Sequence, residues 1–346
     1  MIKEAIGKIV SGTDLSEAEM VAVMDEIMSG NATDAQIGAF ITGLRLKGET
    51  VDEITGAARV MREKATFVDA GDKDQVLVDI VGTGGDCSGT FNVSTTASFV
   101  VAGAGVAVAK HGNRSVSSHC GSADVLEALG VDLAMGAADI GQAVRQVGIG
   151  FMFAPVLHGA MKYAIGPRRE IGIRTIFNIL GPLTNPARAN VYLLGVFTPD
   201  LVETMAHVLG RFGVKRALVV CGEGNIDEIT ISGSTLVADY QDGKVSTYTI
   251  SPEDVGLTRA ALQDIKGGAT AALSAIQLRE ILEGKPGPCL DTVLLNAGAA
   301  LMAAGRAADL KGGVELARQS VVSGAALAKM HSLVAFSARG AVEHDS

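Results

Sequence analysis

An apolar run, Val78-Asp79-Ile80-Val81, ends in a cluster of glycines, Gly82-Thr83-Gly84-Gly85-Asp86, and Thr90, Asn92, Val93, Ser94 and Thr95 follow within ten residues. Glycines let backbone N–H groups turn toward an anion, and a helix opening on Asn, Ser and Thr adds free donors and the positive end of its dipole. Neither G-x-x-x-x-G-K-[ST] nor G-x-G-x-x-G is present, so this is not the loop of a nucleoside triphosphatase or of a dinucleotide fold. Taken alone, the turn also reads as a tight strand–helix connection. The side chains beside it suit phosphates, sugar hydroxyls and a hydrated metal.

Two further groups of residues bear on that reading. Lys110-His111-Gly112-Asn113-Arg114-Ser115-Val116-Ser117-Ser118 follows a strand expected at 106–109, with Ser122 opening a helix just after. Two permanent cations and several hydroxyls in a loop at a strand end point to an anionic ligand, against the plain alternative of a solvated basic loop. A Lys ammonium and helix-end N–H groups there would neutralise a leaving pyrophosphate. Asp227-Glu228 comes after a strand expected at 217–220 and a loop containing Gly222 and Gly224. Adjacent acids on a regular strand point to opposite sides and usually form a solvated face. In an irregular turn both reach one site, where oxygen ligands suit Mg²⁺.

These residues need a scaffold, and the pattern supplies one. Three S/T-x-x-E/Q capping boxes, Ser16 with Glu19, Thr33 with Gln36 and Thr50 with Glu53, open amphipathic helices, and an earlier helix is suggested by Ile2, Ala5, Ile6, Ile9 and Val10. From about residue 74 strands alternate with helices: strands at 76–81, 106–109, 150–154, 191–197 and 217–220, helices at 94–104, 122–129, 139–147 and 199–212. The stretch 238–257 reads as a hairpin or extended excursion, and 291–304 and 313–333 as helices. The expected fold class is α/β: a small all-helical N-terminal domain, residues 1–70, and a larger α/β domain, 74–346, with a mainly parallel central sheet flanked by helices. Ligands gather at the C-terminal strand ends of such sheets, so the three groups share one rim.

Composition narrows the partners. The chain has 346 residues, a net charge of −9 and no Trp. That charge argues against nucleic acid as the main partner. Four scattered cysteines without a C-x-x-C pair read as reduced thiols. Neither a charged–apolar–cleavable leader nor a membrane-length apolar stretch is seen, so the expectation is a cytoplasmic protein with no membrane partner.

In order and spacing the three groups, with 121–130 and the segment from Arg168 to Pro186 containing Phe177-Asn178-Ile179-Leu180-Gly181-Pro182-Leu183-Thr184-Asn185-Pro186, resemble the anthranilate phosphoribosyltransferase family. The resemblance covers nearly the whole chain. It implies transfer of the phosphoribosyl group of 5-phosphoribosyl 1-pyrophosphate to the amine of anthranilate in tryptophan biosynthesis. It implies that Gly82, Gly85, Asp86, Thr90, Asn92, Val93, Ser94, Thr95, Lys110, His111, Gly112, Asn113, Arg114, Ser115, Val116, Ser117, Ser118 and Ser122 surround the donor. Ser94, Asp227 and Glu228 would hold Mg²⁺, two ions per monomer. Gly82, Asn113 and Arg168 would contact anthranilate; a planar bidentate cation suits its carboxylate. Lys110, Arg168 and Asn113 would serve catalysis by charge stabilisation and positioning. The resemblance further implies helices around 160–185 joined to the helical domain and a homodimer through that domain; because the sequence opens directly on that domain, no fused glutamine amidotransferase is expected. Two departures touch the acceptor channel and the donor's surroundings: His119-Cys120 where the family often has Lys or Leu then Ser, and His158-Gly159 with Tyr163 where it commonly has a His-Pro pair and a later His. A pyrimidine nucleoside phosphorylase, disfavoured by Asn113-Arg114-Ser115, and a catalytically silent nucleic-acid binder, disfavoured by the charge, are the rival expectations.

Overall fold

A computed structural model of the chain describes residues 1–72, 74–114 and 120–344, with side chains described through 338. Four helices come first: α1 (Ile2–Val10), α2 (Glu17–Met28), α3 (Asp34–Lys47) and α4 (Val51–Lys64). The last three open on the expected capping boxes, in which each N-cap hydroxyl accepts the N3 N–H and the N3 side chain returns to the N-cap N–H. Such boxes satisfy donors that the first turn leaves unpaired. Glu53 does more than cap α4. Its fully buried carboxylate also accepts from the Leu15 N–H at 2.9 Å and from Lys47 Nζ at 3.0 Å, so this charge is not left unpaired inside the bundle.

The chain then alternates through β1 (Leu77–Gly82), α5 (Val93–Gly103), β2 (Ala107–Gly112), α6 (Ser122–Ala128), α7 (Ala137–Val147), β3 (Ile149–Phe153), α8 (Ala154–Leu157), α9 (Lys162–Ile171), α10 (Phe177–Leu180), β4 (Val191–Gly195), α11 (Asp200–Arg211) and β5 (Arg216–Gly222). A hairpin, β6 (Thr235–Gln241) and β7 (Lys244–Ile250), precedes α12 (Ala271–Leu282), α13 (Pro288–Ala303), α14 (Leu310–Val322) and α15 (Ala325–His344). The strand order is β3-β2-β1-β4-β5-β6-β7, parallel from β3 to β5 and antiparallel for the hairpin. The expected mainly parallel sheet is borne out, and the uncertain stretch 238–257 supplies part of an antiparallel edge.

One boundary differs with consequence. The strand expected to stop at Ala109 runs to Gly112, and Lys110, His111 and Gly112 pair with Phe151, Met152 and Phe153 of β3. Charged residues read as loop when their partners are far away in sequence. Here Asp79 and the Ile80 carbonyl of β1 receive them, so they stay in the sheet.

Two apolar clusters cover the two faces. One holds α5, α6, α7, α13, α14 and α15 against one face. The other is continuous from α1–α4 through Ala164 of α9, α10 and α11 to Tyr192, Leu194, Ala217 and Val219 on the opposite face. Arg211 of α11 adds polar ties to Glu17 at 3.2 Å and Asp52 at 2.7 Å. Among the described residues no single helix is long and apolar enough to cross a membrane, and one bent pair, Leu310–Val322 with Ala325–Ala338, passes by length and composition only.

Candidate active site

The order β2-β1-β4-β5 reverses direction between β1 and β4, and crevices form where a parallel sheet reverses. Gly82 of β1 and Gly195 of β4 end their strands side by side in register. A Cβ on Gly82 would overlap the Asp227 carboxylate, and one on Gly195 would overlap the Asp227 carbonyl. The missing side chains therefore open the space through which the turn after β5 crosses the strand ends. That turn is irregular, as two acids serving one rim require.

Asp227 and Glu228 leave the turn toward different neighbours. Asp227 Oδ2 accepts the Gly84 N–H at 2.6 Å, and its own N–H lies 3.4 Å from Asp86 Oδ2. Glu228 receives the backbone N–H of Ser94 at the start of α5. Burial, then the Asp86 charge, pushes the Asp227 carboxyl up to about 8. Burial and the neighbouring Asp227 raise Glu228 well above the usual carboxylate range.

The Lys110 ammonium is nearby and buried. Its Nζ donates to the Ile80 carbonyl at 2.7 Å and to Ser94 Oγ at 3.2 Å. Burial lowers its pKa, while Asp79 and Glu228 act to keep it charged. Gly82, Asp86, Ser94, Lys110, Asp227 and Glu228 thus meet at one rim. The rest of the donor loop braces it: Arg174 donates to the Gly85 carbonyl, Ser88 Oγ and Thr90 Oγ1 lie 3.1 Å apart, and Asn92 Nδ2 donates to the Cys120 carbonyl at 3.0 Å. Val93 is buried, and Thr95 Oγ1 donates to Ser122 Oγ at 2.9 Å, tying α5 to α6.

Other expected residues stand elsewhere. Asn113 Oδ1 accepts the Arg114 N–H at 2.7 Å, and the Arg114 guanidinium pairs with Asp124 and Glu127 of α6. Among the described residues no hydrogen bond or ion pair links either to Asp227 or Glu228. Ser115, Val116, Ser117, Ser118 and His119 lie outside the described residues. Arg168, on α9, sits over the Phe177 ring at 5.0 Å and makes no salt bridge with a described residue. Burial lowers its pKa. His111 Nε2 lies 3.2 Å from His158 Nε2, and burial drives the two rings down to about 3 and about 4, so both are neutral near pH 7. Tyr163 packs its ring against Gly30, where a Cβ would collide with it.

Sequence reasoning missed Asp79, Asn185, Arg174 and Gly195. Asp79 is fully buried; it accepts the His111 N–H at 3.2 Å and Asn185 Nδ2 at 2.7 Å, and Asn185 also holds the Ala109 carbonyl at 2.9 Å. A lone acid inside the apolar run before the glycines was the available signal. Burial raises Asp79 to about 6, opposed first by Lys110.

The donor set favours a hard cation. Among the described residues no three His, Cys, Asp or Glu side chains close around one point. Instead carboxylates and the Ser94 hydroxyl stand on either side of the turn, an arrangement that suits Mg²⁺, which keeps waters and takes substrate oxygens.

The helical bundle and the α/β domain that carries this crevice each match the same family of group-transfer enzymes. Residues 3–65 match the model "Glycosyl transferase family, helical bundle domain", and residues 74–327 match "Glycosyl transferase family, a/b domain". The chain belongs to the anthranilate phosphoribosyltransferases of that family. It is 63% identical over 336 residues to the anthranilate phosphoribosyltransferase of Desulfotalea psychrophila, covering 97% of each chain. It is 56% identical to that of Geotalea uraniireducens, covering 96% of this chain and 99% of that one. The crystal structure of the Thermus thermophilus enzyme superposes with a TM-score of 0.91 at 45% identity, covering 96% of this chain and 98% of the other. The Saccharomyces cerevisiae enzyme in complex with PRPP and Mg gives 0.87 at 26% identity, covering 98% of each.

Proposed function

We propose that this chain transfers the phosphoribosyl group of 5-phosphoribosyl 1-pyrophosphate to anthranilate, forming the N–C1 bond as the C1–O bond to pyrophosphate breaks, in tryptophan biosynthesis. The carrying observation is the meeting of Asp86, Ser94, Lys110, Asp227 and Glu228 where the paired glycines clear the strand ends. Asp227 and Glu228 with Ser94 hold Mg²⁺, and their divergence to the Gly84 and Ser94 sides favours two ions per protomer. Bound there, the metal supplies positive charge to pyrophosphate oxygens. N–H groups of the glycine loop and the α5 N-terminus orient the donor, and the Lys110 ammonium offsets charge on the leaving group. Gly82, whose missing side chain admits the Asp227 carboxylate, presents its backbone to both substrates. Arg168, which makes no salt bridge with a described residue, pairs with the anthranilate carboxylate, and Asn113 orients the ring. An aromatic amine is unprotonated near neutral pH and needs no strong base. Attack on the face opposite the leaving group inverts C1.

Residues 1–70, joined by the helices around 160–185, form the unit that closes against the rest of 74–346 and excludes water. Exposed Val10 and Leu46 on the bundle, 74% and 84% accessible, support a homodimer through it. Four free cysteines suit a cytoplasmic setting.

Loss of anthranilate fluorescence on adding the donor and Mg²⁺ tests the reaction. The Arg168→Ala variant should raise the anthranilate KM by about 10-fold or more and leave the donor KM near its original value, as loss of a charged hydrogen bond implies. Equal effects on both substrates would remove Arg168 from the acceptor site.

A further inference from the structure

Two neighbouring glycines of the loop after β1 are held by different parts of the chain. The Gly84 N–H goes to Asp227 Oδ2 at 2.6 Å, on the acid turn. The Gly85 carbonyl accepts from the Arg174 guanidinium, which lies between α9 and α10. Arg174 and Arg168 are set by one helix end. Gly172 stops α9 with a left-handed φ of 67° and donates its N–H to the Arg168 carbonyl at 3.2 Å. Each guanidinium then lies over an aromatic ring of the same apolar cluster, Arg168 over Phe177 at 5.0 Å and Arg174 over Phe197 at 4.5 Å. Just beyond Arg174 the backbone is fixed again, because the Thr175 N–H donates to Asn178 Oδ1 at 2.9 Å and the Asn178 N–H returns to the Thr175 carbonyl at 2.9 Å.

We propose that Arg174 is a positioning residue for the transfer: it couples the acceptor segment to the donor loop, so that each substrate binds more tightly when the other is in place. The inference rests on the reading of Arg168 and the glycine loop as acceptor and donor sites. Among the described residues, the Arg174 bond is the hydrogen bond that runs from 162–180 to the loop 82–91. The far limb of that loop is tied elsewhere, by the Phe91 N–H to the Ile265 carbonyl at 3.1 Å and the Gly267 N–H to the Gly89 carbonyl at 3.0 Å. What Arg174 holds matters for the donor. Gly84 and Gly85 have φ of 70° and 74°, a backbone with many alternatives, so the orientation of the next peptide depends on its partners. In a planar trans peptide the N–H points opposite to the carbonyl, so a fixed Gly85 carbonyl aims the Asp86 N–H to the other side of the loop. A carboxylate drawn onto Arg168 steadies the end of α9, and with it Arg174 and that peptide. Linkage makes the effect reciprocal.

Fluorescence titration of anthranilate into the full chain, with and without magnesium pyrophosphate as an unreactive donor-side ligand, measures the coupling. Pyrophosphate should tighten anthranilate binding by about 5-fold or more in the parent chain, and by no more than about twofold in Arg174→Ala. Arg174→Lys keeps an N–H donor and should recover part of the ratio. Phe197→Leu, which removes the ring beneath the guanidinium, should also lower it and is the second variant should Arg174→Ala disturb the fold. In turnover Arg174→Ala should raise both KM values together, unlike Arg168→Ala. A brace with a merely structural role would weaken binding and leave the ratio intact. A ratio near one in the parent chain, or one unchanged in whichever variant is folded, overturns the coupling while leaving the proposed reaction standing. No anthranilate binding in the parent chain under either condition overturns both.

Discussion

The helical bundle and the strand-end rim solve opposite problems. In the bundle the local signals are kept: three capping boxes close, and buried Glu53 has its carboxylate fully engaged, with the Arg62 Nη1 of α4 as the exception. At the rim the rules are broken together. Acids are buried beside one another, the Thr83 and Thr175 hydroxyls are buried without partners among the described residues, and Cys87 takes a left-handed φ of 58°. Structure that only has to be stable agrees with its local signals, whereas a site that must receive charge keeps conflicts its ligands relieve.

Five changes break or sharpen this contrast. Gly195→Ala drives a methyl into the Asp227 carbonyl, and displacement of the acid turn should lower kcat/KM by about 100-fold or more; near-normal kinetics would contradict the clearance argument. Asp227→Asn should raise the Mg²⁺ requirement by about 10-fold or more while stabilising the ligand-free protein at pH 8 and above. The sign follows from a folded pKa raised from 3.8 to about 8. The folded state then holds the proton more tightly, and stability declines as pH rises between those values. Denaturant titrations at pH 6 and pH 8.5 check it, and equal destabilisation at both would refute it.

His158 has the reverse sign. Its folded pKa is depressed from 6.5 to about 4, so its stabilising term is full above pH 6.5 and is lost as pH falls through that window. The stability difference between the parent chain and His158→Asn should shrink by ~1.4 kcal/mol per pH unit there; a pH-independent difference would show that the ring is not held neutral. In the bundle the effects are smaller and leave activity alone. Thr50→Ala removes the α4 cap and should cost about 1 kcal/mol, whereas Gly7→Ala, with open space at its Cβ position in α1, should add ~0.5–1 kcal/mol. Thermal melts with parallel rate measurements decide both, and an activity loss in either would blur the contrast.

The same division explains what was legible in the sequence. Ser16, Thr33 and Thr50 announce their helices because the caps act within four residues. The alternation of strands and helices likewise gives the parallel sheet, because burial on both faces leaves apolar runs. Lys110 and His111 were read as loop because the groups that hold them in β2, Asp79 and Ile80, are some thirty residues away. Gly195 carried no local mark at all: its reason is the Asp227 carbonyl, which reaches it only after the chain has turned through α11 and β5. Arg174 is similar, since its partner is the Gly85 carbonyl.

The apolar cluster that continues from the bundle through α10 and α11 to the sheet bears on how the molecule comes apart and how it moves. Two sequence-matched segments share one interior, so heat or denaturant should melt them in a single cooperative transition. A fragment lacking the first 70 residues would strip the cover from α10 and α11 and present sticky surface to its neighbours. Motion between the segments is constrained in the same way. Packed apolar side chains favour small sliding steps over a wide swing, making shear the natural mode of closure.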